Sequence, residues 1–337
     1  MKTDQAPPDV QLMKFIVGKW ISKPIYAAAE LGISDQLTDG PMSIEELAGK
    51  CGAHAPSLYR MMRALASVGI YHEMEDGRFG LTPMAELLRS GAMNSVARLF
   101  NVQWNDEAWI YFLDGVRSGK SPFIAAHGRP IFEWLKEHPQ EERVLMEANA
   151  VKAAVSHSVI IDAYDFSGLG TLVDVGGGNG SLMAEILAAN PNMKGIVADI
   201  SPVIDEAGEL IRTRELEDRC TALECNFFES IPRGGDAVIL SNVLHDWDDK
   251  RCGIILRTCA RAQKPGDILL VVESIIPPGN EPSIAKLLDL EMFVITGGME
   301  RTESEYRSLL ESSGYDLSRV VHTKGTVSIL EGTRSET

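Results

Sequence analysis

The sequence predicts a two-part protein, in which a mainly helical N-terminal domain precedes an α/β domain with a doubly wound parallel sheet. Residues 1–98 show short amphipathic helical patterns, whereas the sequence after Gly170 alternates apolar strands with amphipathic helices. Such alternation is typical of Rossmann-like sheets. A length of 337 residues with 45% hydrophobic content also favours two packed units. We therefore predict domains over 1–98 and 99–337.

The N-terminal domain contains a helix–helix–hairpin pattern. Ser43-Ile44-Glu45-Glu46 is a capping box that opens one helix, and a second helix follows Pro56. Asp76-Gly77 is a turn signal between two short strands. This order resembles a winged helix, a module that often binds DNA. However, this half has 10 Lys or Arg and 11 Asp or Glu, so we favour dimerisation over DNA binding.

The segment 99–160 remains helical and supplies bulky aromatic side chains. We interpret it as a helical linker and substrate-pocket region at the start of the second domain. Most of its aromatic residues are expected to pack in the core, while one or two line a pocket. They are Trp104, Trp109, Phe112, Phe123, Phe132 and Trp134.

A glycine-rich loop, Asp174 to Gly180, follows the first of five predicted strands. Glycines there let backbone N–H groups approach a ligand at the edge where this fold opens a crevice. A dinucleotide fingerprint counted from Gly176 would place Ser181 at its last glycine, which disfavours a nicotinamide cofactor. Asp174 would repel a pyrophosphate but can hold the cationic amino group of a methionine moiety, which favours S-adenosylmethionine. The predicted strands are 171–175, 194–200, 221–225, 237–240 and 268–273.

Two further polar residues follow predicted strands. Asp199 can accept hydrogen bonds from both ribose hydroxyls of a nucleoside, although a helix cap is the alternative. His245 follows the fourth strand in Leu244-His245-Asp246-Trp247. Methyl transfer to a hydroxyl requires the acceptor to lose a proton, and an imidazole with a pKa of about 6.5 can take it. Considered alone, a histidine beside acidic residues is more often a surface residue or a neighbour of a helix start than a catalytic base.

The charge and cysteine content narrow the functional classes. A net charge of −16 disfavours a broad nucleic-acid surface, because neutralising phosphates requires clustered Lys and Arg. The sequence shows no apolar run near the roughly 18 residues of a spanning helix, so we expect no membrane contact. Five cysteines without CxxC pairing disfavour a disulfide framework or zinc site and fit a reducing cytoplasm. No metal is expected.

Several motifs together resemble the plant and bacterial small-molecule O-methyltransferase family, which includes caffeate, flavonoid and hydroxyindole methyltransferases. The resemblance covers nearly the whole chain. It implies a winged-helix-type dimerisation domain, a homodimer, a Rossmann-like catalytic domain, S-adenosylmethionine as donor with S-adenosylhomocysteine as product, and a phenolic acceptor. The motifs occur in family order at 173–180, Asp199, 226–228, 244–247, 273–277 and 297–302.

The resemblance also implies roles for individual residues. His245 corresponds to the general base, and Glu273 and Glu300 to the acids that orient it; surface ion pairing is the alternative for the two acids. Asn226 replaces an acid expected at the adenine amino group, and Ser241 replaces a lysine common in plant members. The implied cofactor contacts are Asp174, Gly176, Gly178, Asp199, Asn226, Phe227 and Ser241. The implied acceptor contacts are Asp246, Asp289 and Met292; a helix N-cap is the alternative for Asp246, and a core position is the alternative for Met292.

Three other functions stay open at this point. A relative of this family can methylate nitrogen or perform another S-adenosylmethionine-dependent reaction. The helix–helix–hairpin pattern also suits a DNA-binding regulator that senses a small ligand. Nicotinamide-dependent oxidoreduction is the third, and the glycine count disfavours it.

Overall fold

The computed structural model describes residues 6–201 and 203–336. The chain divides into two compact units. The first comprises Met1–Glu107 and Leu135–Lys152, and the second comprises Ala108–Trp134 and Ala153–Thr337.

The first unit has the predicted helix–helix–hairpin order. Ser43 and Glu46 form a reciprocal capping box, in which Glu46 N donates to Ser43 Oγ and Ser43 N donates to Glu46 Oε2. The buried face of the second helix packs in a core shared with the hairpin. The elements are α1 (Pro8–Ile16), α2 (Lys19–Glu30), α3 (Ile33–Gln36), α4 (Ile44–Cys51), α5 (Ala55–Ser67), β1 (Tyr71–Glu73), β2 (Phe79–Leu81), α6 (Pro83–Glu86) and α7 (Asn94–Leu99).

Five helices follow in the region predicted to be helical: α8 (Gln103–Ile110), α9 (Phe112–Ser118), α10 (Pro122–His127), α11 (Ile131–Leu135) and α12 (Pro139–Ala163). By length and composition alone, α12 could cross a membrane, with a mean hydropathy of 1.3 over its best window. The expectation from the sequence concerned an uninterrupted apolar run of about 18 residues, and α12 does not contain one. The apolar residues of α12 are dispersed among polar ones, so they form no uninterrupted run.

The second unit is built on a seven-stranded sheet in the order β5-β4-β3-β6-β7-β9-β8. The first five strands in this order are parallel, as predicted, and a C-terminal antiparallel pair that the sequence reading did not identify extends the edge. The strands are β3 (Thr171–Val175), β4 (Lys194–Asp199), β5 (Cys220–Glu224), β6 (Ala237–Ser241), β7 (Ile268–Glu273), β8 (Tyr315–His322) and β9 (Ser328–Arg334).

Helices cover both faces of this sheet, and each face has its own apolar core. The strand order reverses at β3, whose neighbours are β4 and β6. Such a reversal opens a crevice at the carboxyl ends of the strands. The fold therefore places the ends of β3, β4, β6 and β7 around one edge. The helices are α13 (Ser181–Ala189), α14 (Val203–Thr213), α15 (Asp249–Ala262), α16 (Ile284–Ile295) and α17 (Glu303–Glu311).

Candidate active site

The glycine loop after β3 is tightly packed against its neighbours. Gly176 has a φ of 72°, and Gly176 N donates to Ala198 O at 2.8 Å. A Cβ atom at Gly176 would lie 2.8 Å from Val243 Cγ2, and one at Gly177 would lie 2.7 Å from Asp174 Cγ. Side chains are thus excluded from this turn, and its backbone stays open to a ligand.

Asp174 lies directly beneath the loop and is only 1% exposed. Neither of its carboxylate oxygens has a hydrogen-bond partner within the described part of the chain. Burial, reinforced by the charge of Asp199, raises the pKa of Asp174 to about 7. Buried polar groups are normally satisfied, so an unpartnered carboxylate here indicates a site for a donor or cation.

Asp199 ends β4 and is tied to the same loop. Asp199 Oδ2 accepts from Gly178 N at 2.8 Å, and Asp199 Oδ1 accepts from Ile200 N at 2.7 Å. Burial raises the pKa of Asp199, and these backbone donors oppose that rise. The carboxylate is therefore held in one orientation beside Gly178.

The remaining predicted cofactor contacts sit at the ends of β5 and β6. Asn226 Oδ1 accepts from Phe228 N at 3.1 Å, and Asn226 Nδ2 donates to Glu229 Oε1. The ring of Phe227 lies 3.8 Å from the Cβ position of Gly176. Ser241 Oγ accepts only a long bond, of 3.3 Å, from the neighbouring Asn242 side chain. Phe227 is thus packed at the loop, while Asn226 stabilises its own turn.

His245 lies on a short 3-10 turn that follows β6. We call residues Val243–Trp247 the His245 turn. Glu273 ends β7, is fully buried, and its Oε1 accepts from the backbone N–H groups of Val243, Leu244 and His245 at 3.0, 2.7 and 3.3 Å. One buried carboxylate therefore binds three consecutive backbone N–H groups of this turn.

Three carboxyl groups surround the imidazole of His245, which is 17% exposed. His245 Nδ1 lies 2.8 Å from Glu273 Oε2 and 3.6 Å from Glu300 Oε1, and His245 Nε2 lies 3.8 Å from Asp246 Oδ1. The shortest contact has an ion-pair distance without the alignment of a regular hydrogen bond. The structure thus brings together His245 and both acids that the resemblance implied.

Burial lowers the pKa of His245, but the charges of Glu273, Asp246 and Glu300 outweigh it and raise this pKa to about 10. Burial also raises the pKa of Glu300 to about 8, although the His245 charge opposes the rise. We call His245, Asp246, Glu273 and Glu300 the His245 cluster. The negative charges in this cluster favour a protonated imidazole.

His245, Glu273 and Glu300 are also the one group in the described residues whose spacing would suit a metal ion, with ligand atoms within 4.8 Å of one another. The sequence reading found no such cluster, because these residues are far apart along the chain. An imidazole and two carboxyl groups at these distances could hold a metal ion or exchange a proton with a ligand.

The predicted acceptor contacts lie at different places. Asp246 borders His245, whereas Asp289 on α16 is half-buried and its Oδ1 accepts from Glu300 N at 2.9 Å. Met292 lies one turn further along α16, where its carbonyl oxygen accepts from Thr296 Oγ1. Asp289 therefore contacts the backbone of an acid in the His245 cluster.

Aromatic rings adjoin this region; the sequence had assigned a binding role to Phe227 and predicted that one or two aromatic residues of 99–160, with Phe132 among the candidates, line a pocket. Trp247 packs against Phe227, Phe228 and Phe132, with ring centroids 6.3, 4.9 and 5.6 Å away. The dipeptide Phe227-Phe228 next to a strand end was the available signal for such a cluster. Packed aromatic side chains therefore extend from the glycine loop to the His245 turn.

Known proteins match this chain over most of its length. Residues 109–316 match the O-methyltransferase domain family, and residues 13–91 match the O-methyltransferase dimerisation domain family. The chain is 42% identical to a phenazine O-methyltransferase from Lysobacter antibioticus, covering 95% of this chain and 94% of the relative. It is 38% identical to a mitomycin biosynthesis 6-O-methyltransferase from Streptomyces lavendulae, over 90% and 87% of the two chains.

A solved structure of human N-acetylserotonin methyltransferase in complex with S-adenosylmethionine matches this chain with a TM-score of 0.88 and 26% sequence identity, over 99% of this chain and 100% of that one. The likeness therefore extends over both units of the chain. It confirms the resemblance inferred from the motifs and the predicted fold class. By domain content, sequence and fold, the chain belongs to the O-methyltransferase family.

Proposed function

We propose that the protein transfers a methyl group from S-adenosylmethionine to a phenolic hydroxyl of a small aromatic acceptor, with His245 as general base and S-adenosylhomocysteine as product. The single observation that supports this most directly is the enclosure of His245 by Glu273 and Glu300 beside the glycine loop. Val243 connects the two features, because it packs against Gly176 and lies two residues before His245.

The residues around the loop fit the donor. When bound, S-adenosylmethionine supplies a methyl group activated by its sulfonium centre. The unpartnered carboxylate of Asp174 suits a cationic amino group, and Asp199 suits ribose hydroxyls. The backbone of Gly176 and Gly178 allows close approach, and Phe227 offers an apolar face beside it.

The His245 cluster fits the removal of the acceptor proton. A phenol has a pKa of about 10, as Tyr does, and the surrounding acids raise the pKa of His245 to a similar value. Proton transfer between the two is then nearly balanced, and Glu273 stabilises the imidazolium that forms. Because His245 must be neutral to act as base, we expect the rate to rise with pH above neutrality.

The acceptor is inferred to be aromatic. Trp247 and its ring neighbours Phe132, Phe227 and Phe228 offer flat apolar surface next to the base. The relatives named above act on phenazine and mitomycin compounds according to their names. Asp246 supplies a carboxylate at His245 Nε2 that can contact an acceptor hydroxyl, with Asp289 and Met292 as further contacts from α16.

The N-terminal part supports homodimer formation, because residues 13–91 match a dimerisation domain. Its helix–helix–hairpin order suits the winged-helix type. Several apolar side chains of α1 and α2 are exposed in the single chain, as expected for a surface covered by a second copy. These are Leu12, Met13, Phe15, Ile16 and Trp20. We propose a cytoplasmic homodimer that acts without nucleic acid or membrane.

The experiment that tests the proposal compares His245→Ala with wild type, using labelled S-adenosylmethionine and a panel of phenolic acceptors. We expect single-turnover methyl transfer to fall by about 10²- to 10⁴-fold, as for loss of a general base. Affinity for S-adenosylhomocysteine, measured by calorimetry, should stay within about threefold. The control is His54→Ala, which changes an exposed histidine of the first unit whose ring forms a hydrogen bond with Ser57 Oγ. Unchanged chemistry in His245→Ala would overturn the base assignment.

Nitrogen methylation is the competing function. An 8-amino-8-demethylriboflavin N,N-dimethyltransferase from Streptomyces davaonensis is 30% identical to the chain. A neutral amine acceptor has less need of a base, so retention of the buried His245 cluster favours oxygen. Matched phenol and aniline acceptors in the same assay decide between the two.

A further inference from the structure

The carbonyl side of the His245 turn is held by a buried arginine. Arg301 is 1% exposed and follows Glu300 in sequence. Its guanidinium donates from Nη1 to Leu244 O at 3.2 Å and from Nη2 to Trp247 O at 2.9 Å. Its Nε also donates to Asp249 Oδ1 at 2.9 Å. Two carbonyl groups that flank His245 therefore share one cation.

This arrangement complements the role of Glu273 on the opposite side. Glu273 Oε1 accepts the N–H groups of the turn, and Arg301 donates to its carbonyl groups. Within the turn itself, the backbone bonds are long, such as 3.4 Å from Asp246 N to Val243 O. A short turn of this kind leaves most of its backbone groups without partners of its own. The Cys252 thiol is a weak third donor to the same two carbonyl groups, so the two charged side chains supply the strong bonds that hold this conformation.

The backbone of the Arg301 segment also touches the turn. Met299 N donates to His245 O at 2.9 Å. A Cβ atom at Gly298 would lie 2.0 Å from His245 O, so the close approach requires glycine. Ile276 N, just beyond β7, donates to Arg301 O at 2.9 Å. The turn is thus enclosed between two segments that are bonded to each other.

We propose that Arg301 is a positioning residue for the methyl-transfer reaction, which sets the place of the His245 ring by fixing the carbonyl side of its turn. This inference rests on the proposed role of His245 as base. A base must lie within hydrogen-bond reach of the proton that it removes, and a displacement of about 1 Å can reduce the rate by about 10²-fold. Arginine suits this position because its planar fork reaches several acceptors at once, whereas a lysine ammonium is a compact point charge.

The first test is Arg301→Lys, which keeps the positive charge and removes the planar guanidinium group. We expect kcat to fall by about tenfold or more, while KM for the acceptor and affinity for S-adenosylhomocysteine change by less than about threefold. The pH profile of kcat should also shift, because the distance from His245 to Glu273 and Glu300 changes. The matched control is Arg307→Lys on α17, an exposed arginine paired with Glu303. A wild-type kcat and pH profile in folded Arg301→Lys would overturn the proposal.

A double-mutant cycle separates positioning from a general structural effect. If Arg301 acts through His245, Arg301→Lys should not reduce the residual rate of His245→Ala any further. A further tenfold loss in that background would contradict the proposal. If His245→Ala alone has no effect, the proposed base fails, and that outcome is distinct from failure of the Arg301 inference.

Asp249→Ala provides a second route if Arg301→Lys does not fold. It removes the largely exposed carboxylate that accepts from Arg301 Nε and leaves the guanidinium itself in place. We expect a loss of kcat with retained affinity for S-adenosylhomocysteine, as for Arg301→Lys. Full activity of this variant would show that the placement of the Arg301 guanidinium does not control the base.

Discussion

Replacing Asp174 by Asn should change cofactor affinity and protein stability in opposite directions. The Asp174 carboxyl is buried beneath the glycine loop, and burial raises its pKa to about 7. At pH 8 it is therefore about 90% ionised, and at pH 6 about 90% protonated. If the ionised form binds the amino group of the cofactor, affinity should be about tenfold weaker at pH 6 than at pH 8. Asn cannot supply the charge, so Asp174→Asn should bind weakly at both pH values, with this dependence lost.

The stability of the ligand-free protein follows from the same pKa. The folded state binds the Asp174 proton more tightly than the unfolded state, in which the pKa is 3.8. The contribution of Asp174 to the free energy of unfolding is therefore fully present below about pH 4 and is lost as the pH rises to about 7. A difference of about 3 pKa units corresponds to about 4 kcal/mol of unfolding free energy at pH 8. Asp174→Asn should therefore raise the free energy of unfolding by up to that amount at pH 8 and change it little at pH 4.

Calorimetric titration with S-adenosylhomocysteine between about pH 6 and pH 8 measures the first effect, and denaturant unfolding measures the second. S-adenosylhomocysteine is a suitable probe because it keeps the amino group and lacks the sulfonium charge. Asp236→Asn is the matched control, since Asp236 is exposed and accepts from Thr171 N at the opposite end of β3. Wild-type affinity with an unchanged pH dependence in Asp174→Asn would refute the assignment.

Two further predictions concern the other acids. Glu300→Gln removes one of the charges that raise the pKa of His245, so the rising limb of the pH profile of kcat/KM should move to lower pH by about one unit or more; charges 3.6 Å apart interact by about 1 kcal/mol even in water and by more in a buried site, and an unmoved limb would contradict the assignment. Asp199→Ala should weaken S-adenosylhomocysteine binding by about 10- to 100-fold through loss of charge-assisted hydrogen bonds and of the Gly178 contact, and calorimetry that shows unchanged affinity would exclude its ribose role.

The features that the sequence predicted well are those that local pattern and strand topology determine. Strand ends of a parallel sheet meet at one edge, so Asp199, His245 and Glu273 could be expected near the glycine loop from their positions after strands alone. The capping box at Ser43 is equally local. The C-terminal strands β8 and β9 went unidentified, and β8 has an irregular register between Leu317 and Arg319 that disturbs its alternation.

The features that escaped prediction depend on contacts across long stretches of sequence. Arg301 lies 57 residues from Leu244, whose carbonyl group it binds, and nothing in its local pattern distinguishes it from a surface arginine. Asp289 was expected at the acceptor, yet its contact in the structure is the backbone of Glu300. The raised pKa of Asp174 likewise requires knowledge of burial. Residue type and order predicted which groups gather, and packing decides how each is held.

The divided role of Glu273 has a consequence for how such a protein can evolve. One of its oxygens holds three amides of the His245 turn, and the other faces the imidazole. Loss of His245 removes the cation beside the buried carboxyl groups of Glu273 and Glu300, which can then take up a proton, and it leaves these amides satisfied, whereas loss of Glu273 leaves buried N–H groups without a partner. A descendant can therefore abandon proton transfer and keep the fold by changing the histidine alone. The residue that performs the chemistry is more replaceable than the residue that supports it.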